Sequence, residues 1–221
     1  MRKLALIGGG GHCKSVLDSA LAMNQFDEIV ITDFRLPKET KIMGCRVAGT
    51  DEQLQNLFEQ GFEYAFITVG SIGDAAIRKN LANMASDIGF RFPVICDPTA
   101  CVSPFARIGD GSFIGKNAVL NAEVSVGEHC IINTGAILEH ECSVGSYSHV
   151  SVGAVLCGDS RIGNESFIGA GSTVVQGLSI GNRVIIGANS TVLSNVGDNM
   201  KYYGIVKNFA KESKNWGEEA N

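Results

Sequence analysis

Ile162-Gly-Asn-Glu-Ser-Phe-Ile168-Gly-Ala-Gly-Ser-Thr-Val174-Val-Gln-Gly-Leu-Ser-Ile180-Gly-Asn-Arg-Val-Ile-Ile186-Gly-Ala-Asn-Ser-Thr-Val192 counts in sixes. The same frame runs back to Cys96 without a slip. It gives seventeen hexads over 96–197, of which sixteen open with Val, Ile or Leu. The second position is Gly in eight hexads: 109, 115, 127, 145, 163, 169, 181 and 187. The fifth is usually Ala or Ser, as at Ala118, Ala136, Ser148, Ser166 and Ser190. A six-residue period fits neither a helical stripe nor plain strand alternation. It fits a short strand plus a turn, three to a triangular coil, the parallel β-helix pattern. The aliphatic openers point into the prism, the small fifth residues fill its corners, and the glycines relieve crowding there. No coil buries its own core, so each must stack on the next. Stacked strands lie roughly 4.8 Å apart, which sets residues 18 apart directly above one another. No Pro follows Pro104, in keeping with uninterrupted strands.

The first ninety residues have another rhythm. Residues 3–7 read as a buried strand, followed by Gly8-Gly9-Gly10-Gly11-His12 and a helical pattern over about 13–24. Strands are expected at 28–33 and 64–69, and helices at 51–60 and 74–88. This predicts a Rossmann-like β-α-β-α-β domain over 1–92 with a parallel sheet. The linker Phe92-Pro93-Val94-Ile95 leads into the β-helix of 93–197, and 198–221 reads as a tail whose last residues, roughly 211–221, are polar and loose. A glycine run between strand and helix turns backbone N–H groups toward an anion at the helix N-terminus. Gly8, Gly10 and His12 leave no clean third glycine, and the domain is too short for a full dinucleotide fold. The reading is therefore a nucleotide-sized ligand rather than NAD, held at the carboxyl ends of the strands by Gly8 to His12, Thr32-Asp33 and Gly70-Ser71. The competing, less favoured reading is that the glycines only make a tight turn.

Charge and cysteines narrow the field. The net charge of −5 gives nucleic-acid binding no electrostatic support. No apolar run approaches the roughly 18 residues of a membrane span. The start, Met1-Arg-Lys-Leu-Ala-Leu-Ile-Gly8, runs into a glycine loop and not a cleavage site. Seven Cys without CxxC pairs read as reduced core filler in a cytoplasmic protein.

Among four histidines, His140 is third in its hexad and so points outward, with Glu141 next to it. Eighteen residues on stands Gly158, one coil above the imidazole, its amide unobstructed. A base with a free N–H above it suits acyl transfer: the base takes a proton from the nucleophile and the amide stabilises the oxyanion. Glu141 would hold the tautomer. A surface histidine beside a solvated carboxylate would satisfy the same count.

The stretch Asn133-Thr-Gly-Ala-Ile-Leu-Glu-His140-Glu141-Cys-Ser-Val-Gly-Ser-Tyr-Ser-His149-Val-Ser-Val-Gly-Ala154 resembles the NeuD/PglD family of sugar acyltransferases, and Gly8 to His12 resembles that family's ligand loop. The resemblance implies a left-handed β-helix, a homotrimer with active sites between subunits, and acetyl-CoA lying along the prism. It implies His140 as general base and Glu141 as its partner. His149 would lie at the thioester, Gly158 at the acyl carbonyl, and Ala170 and Ala188 along the pantetheine arm. Asn133, Gly10, Gly11, His12, Thr32, Asp33 and Gly70 would hold the nucleotide sugar. Two departures stand out: Cys96-Asp97-Pro98 where the family often has His-Pro, and Gly204-Ile205-Val206-Lys207 where many relatives carry Gly-x-Pro-Ala-Lys over the cofactor.

The expected reaction is direct acetyl transfer to the amine of a nucleotide-linked sugar of the UDP-4-amino-sugar type, without metal and without an acyl-enzyme. O-acetylation of sialic acid or another sugar would use the same site. A zinc lyase of the γ-carbonic anhydrase type would need three converging histidines, whereas His129 and His149 fall on one face and His140 on another.

Overall fold

The computed structural model describes residues 1–207; the expectation for 211–221 lies outside them. The N-terminal half contains β1 (Lys3–Ile7), α1 (Gly11–Met23), β2 (Glu28–Thr32), β3 (Lys41–Ile42), β4 (Cys45–Gly49), α2 (Leu54–Glu59), β5 (Tyr64–Ile67) and α3 (Ala76–Ile88). Sheet order is β3-β4-β2-β1-β5. β1 lies parallel to β2 and β5, and β4 parallel to β2. The β3–β4 hairpin corrects the expected all-parallel unit: its strands are antiparallel. It turns on Met43 (φ 48°) and Gly44 (φ 87°), the paired positive φ of a two-residue hairpin. The β1 side chains are fully buried from Leu4 to Ile7, as a strand covered on both faces requires.

From Ile95 the chain winds into the predicted prism. Parallel two-residue strands stack with a register of 18, as Ile131 on His149 and Ile137 on Val155. The openers Ile114, Ile132, Leu138, Val150, Leu156 and Ile168 are fully buried, each contributing about 1.5–3 kcal/mol by removal from water. Corner serines do more than fill space. Ser148 Oγ donates to Gly163 O at 2.7 Å and accepts the Ser166 N–H at 3.0 Å, stitching successive coils where the ladder turns. A Cβ on Gly145 would meet Asn164 N of the next coil at 2.6 Å, so that turn excludes any side chain. From Gly111 to Asn189 the fourth residue of every hexad has positive φ. The period does not announce this, because Glu123, Tyr147 and Arg183 are among these residues. Left-handed backbone costs non-glycine residues energy, and the ladder on either side fixes it.

The coil does not stop at 197. Val196 bridges Ile180, Tyr202 lies on Ile186 and Val206 on Val192, so two further strands close the prism beyond the last hexad. Their inward residues come at intervals of four and six, and counting in sixes misses them.

The three faces differ outwardly. Face one, through Phe113, Ile131 and Ile185, is covered by the N-terminal half: Phe113 and Ile131 share a core with Leu4, Leu17 and Phe66. Face three presents Arg107, Ser125, Ser143, Arg161 and Ser179. Face two presents the half-buried apolar column Val119, Ile137 and Val155.

Candidate active site

His140 lies on the edge between faces two and three, where the turn 139–142 leaves the strand Ile137–Leu138. Glu141 takes the left-handed position of its hexad (φ 61°), and its Oε2 lies 3.0 Å from His140 Nδ1. Both side chains are more than half exposed, at 52% and 57%. A carboxylate only accepts, so it holds the proton on Nδ1 and leaves the Nε2 lone pair free as a base. Gly158 sits where the count placed it: a Cβ there would stand 2.5 Å from His140 Cε1 and Nε2. Only glycine leaves room for the ring.

The edge that carries Gly158 contrasts with the edge between faces three and one. There three successive third-position N–H groups are capped from the coil above: Ser146 N–H by Asn164 Oδ1, Asn164 N–H by Asn182 Oδ1 and Asn182 N–H by Asp198 Oδ1, each at 2.8 Å. The Gly158 N–H has no hydrogen-bond partner among the described residues. A free donor beside a free base is the pair that acyl transfer needs. Cys142 does not offer a nucleophile: its Sγ is buried on Leu156 O and Cys157 O, and desolvation raises its pKa to about 11.

A second group of predicted residues gathers at the strand ends of the N-terminal half. A crevice of about 510 Å³ is lined by Gly8 to His12, Asp33, Gly70, Phe34, Arg35 and Ile77 among others. Gly8 and Gly9 are packing glycines, with side-chain neighbours where a Cβ would go, whereas Gly10 and Gly11 have open space. No side chain caps the N-terminus of α1, so its N–H groups face the crevice unpaired by a cap. Asp33 is occupied locally: it accepts the N–H groups of Gly9, Arg35 and Leu36 at 2.7, 2.7 and 3.0 Å. Those bonds hold its pKa below the usual value against the opposing effect of desolvation. Thr32 is fully buried, and its hydroxyl donates to Asp51 Oδ1 at 2.7 Å, so its side chain shapes the strand end and does not line the crevice.

His12 Nε2 is buried with no hydrogen-bond partner among the described residues. Desolvation first, then the nearby His149 and Arg78, lower its pKa to about 3. His149 and Asn133 belong to this side of the molecule, with Asn133 Nδ2 and His149 Nε2 3.2 Å apart. Ala170 and Ala188 follow on the edge between faces one and two, in the column of Thr134 and Val152. One chain therefore carries the predicted residues on two different edges: His140, Glu141 and Gly158 on one, Asn133, Ala170 and Ala188 on the other. Arg78, the lining residues Phe34 and Ile77, and the caps on the edge between faces three and one were not among the expected residues. The Ser146, Asn164, Asn182 and Asp198 spacing was the one available signal for the caps. No group of three His, Cys, Asp or Glu able to hold a metal ion occurs among the described residues. No described helix is long and apolar enough to cross a membrane.

Comparison with known proteins bears on this geometry. Residues 3–85 match the PglD N-terminal domain, and residues 105–140 and 159–194 match the bacterial transferase hexapeptide (six repeats). The acetyltransferase domain of PglB from Neisseria gonorrhoeae is 36% identical, with 92% of this chain and 97% of that chain covered and a TM-score of 0.86. The chain belongs to the NeuD/PglD family of sugar acyltransferases. Its prism is accordingly the left-handed β-helix of that family. The same Neisseria domain is also similar in its complex with acetyl coenzyme A, at 36% identity, coverage of 92% and 96%, and a TM-score of 0.85. A histidine-to-alanine mutant of GDP-perosamine N-acetyl transferase from Caulobacter crescentus, in complex with CoA and GDP-perosamine, is 33% identical, with coverage of 92% and 94% and a TM-score of 0.84. No curated protein sequence matches the chain significantly.

Proposed function

We propose that this family member transfers acetyl from acetyl-CoA to the amino group of a nucleotide-linked amino sugar, of the UDP-4-amino-sugar type. The observation that carries the reading is Gly158 over His140: an imidazole oriented by Glu141 with an uncapped amide at its face. The sugar amine attacks the thioester carbonyl as His140 Nε2 takes its proton. The oxyanion meets the Gly158 N–H. The carbon–sulfur bond then breaks, and CoA leaves as the thiol on receiving that proton. The nucleotide part lies in the Gly10–Gly11 crevice, where the unpaired N–H groups of α1 suit a diphosphate and the orphaned His12 Nε2 offers a buried polar contact.

The two edges come together between copies. The apolar column Val119, Ile137 and Val155 on face two is flanked by both. Three copies packed about that face set the Ala170–Ala188 edge of one beside the His140–Gly158 edge of the next, with acetyl-CoA along the seam. The relatives' complexes with acetyl-CoA, CoA and GDP-perosamine support the ligand classes.

The test is CoA-thiol release from acetyl-CoA with UDP-, GDP-, dTDP- and CMP-linked sugars, each with and without a free amine. Release that requires the free amine supports the reading. Release that persists with hydroxyl-only sugars would refute the amine acceptor.

A further inference from the structure

Cys96-Asp97-Pro98 departs from the family pattern at the entry to the prism, and the structure gives the departure a use. Asp97 is 1% exposed. Its Oδ1 accepts the Thr99 N–H at 2.9 Å and the Thr99 hydroxyl at 2.6 Å, and its Oδ2 accepts the Ser19 hydroxyl of α1 at 2.7 Å. A neutral imidazole has one acceptor nitrogen and could not take all three. Lys116, in the next coil, places its Nζ 3.8 Å from the same Oδ2 and 2.9 Å from Asp18 Oδ2 of α1. Against desolvation, the bonds from Ser19 and Thr99 and the charge of Lys116 lower the Asp97 pKa, so the buried carboxylate is ionised and paired.

This junction joins two parts of the site. Asp18 and Ser19 lie seven and eight residues along α1 from Gly11, roughly 10–12 Å from the helix N-terminus that faces the crevice. Lys116 stands one coil below Thr134, in the column of Ala170 and Ala188. A cavity of about 280 Å³ lies at the junction, lined by Lys14, Ser15, Asp18, Lys116 and Thr134 among others. The surface that presses α1 onto face one is apolar: Cys13, Val16, Leu17 and Ala20 share a core with Phe113 and Ile131. Apolar contact is non-directional, so it leaves α1 able to slide by a fraction of the roughly 4.8 Å coil spacing. Directional bonds from two successive coils remove that freedom. A shift of about 1 Å at reacting atoms can cost about 10²-fold in rate.

We propose that Asp97 and Lys116 are positioning residues that fix the height of α1, and with it the nucleotide-sugar crevice, against the prism edge along which the acetyl donor lies. The identity of the two ligands rests on the acetyl-transfer reading above; the fixing of α1 does not.

Two measurements test this. Lys116→Met keeps the stem and drops both ionic contacts. Lys116 and Asp18 are 44% and 45% exposed, so their pair adds little to stability, and the thermal midpoint is expected to stay within about 2 °C. Amide hydrogen exchange of the intact protein is expected to be about fivefold faster in α1, with β1 and β2 unchanged. Unchanged exchange in α1 overturns the proposal, whether or not the protein transfers acetyl. In steady state, kcat with the nucleotide sugar is expected to fall about tenfold, with both KM values within about threefold. Lys116→Arg, which can span the same two carboxylates, is expected to recover most of that loss. Asp97→Asn, which keeps the shape and loses the charge, is expected to lower kcat by a smaller factor. An unchanged kcat in Lys116→Met, no recovery in Lys116→Arg, or a fall in kcat that tracks a drop in thermal midpoint overturns the proposal. If no sugar accepts acetyl, the acetyl-transfer reading has failed, and the exchange measurement alone decides whether α1 is fixed here.

Discussion

His140 and His149 are nine residues apart on one prism, both outward-facing by the hexad count, and they are held in opposite ways. His140 stands at an edge left uncovered among the described residues, with one ring nitrogen on Glu141 and the other without a partner there. His149 stands on the face covered by the N-terminal half, with one nitrogen on Ser71 and the other on Asn133. The repeat decides that a side chain leaves the prism. What lies against that face decides whether it can exchange a proton. A general base needs a free lone pair within reach of solvent or substrate, and His140 has it. Both nitrogens of His149 have partners within the chain.

The sharpest way to break this contrast is at the exposed histidine. His140→Ala is expected to lower kcat by about 10²–10⁴-fold while leaving thermal midpoint, assembly state and CoA binding unchanged; full turnover in this variant would sink the proton-transfer role. Gly158→Ala comes next. Its Cβ would meet the imidazole at 2.5 Å, so the ring and the amide are both displaced. A fall of about 10²–10³-fold in kcat is expected, and a variant with unaltered kcat would remove the amide from the mechanism. On face two, Ile137→Asp puts a charge in the apolar column. Light scattering is expected to show dissociation into single copies with activity lost, and an unchanged mass would move the contact elsewhere.

The buried side of the comparison responds to pH. Desolvation, first among the causes, lowers His12 to about 3 and His149 to about 4, and both bind protons near 6.5 when the chain unfolds. Below about pH 6.5 the unfolded chain takes up protons that the folded one refuses, so stability falls with pH, toward about 4 for His149 and further for His12. The slope is at most about 1.4 kcal/mol per pH unit for each group. Urea midpoints at pH 7, 6 and 5 measure it, and His149→Phe is expected to flatten the curve. The smallest effect is expected at Cys142, whose thiol is buried on carbonyls. Cys142→Ser is expected to keep kcat within about twofold, and loss of turnover with the fold intact would restore a thiol to the chemistry.

Much of this was legible in the chain. The openers, the corner residues and the 18-residue stacking of His140 under Gly158 follow from counting, because each coil repeats the same backbone. The β3–β4 hairpin escaped because its strands are too short for a period and its turn is Met43-Gly44 in place of the commoner Asn-Gly. The left-handed fourth positions escaped because residues such as Glu123 and Tyr147 do not advertise positive φ. The strands after Val196 escaped because the spacing changes there.

The sequence by itself determined the prism, its period and the stacking of Gly158 over His140, since all three are set by local repetition. Only the tertiary structure decided which histidine is free and which is committed, that Thr32 turns inward to Asp51, and that Arg78 lies buried under the crevice rim. Those outcomes depend on the N-terminal half lying against face one. Contacts between residues 78 and 129, or 71 and 149, have no period that a chain could display.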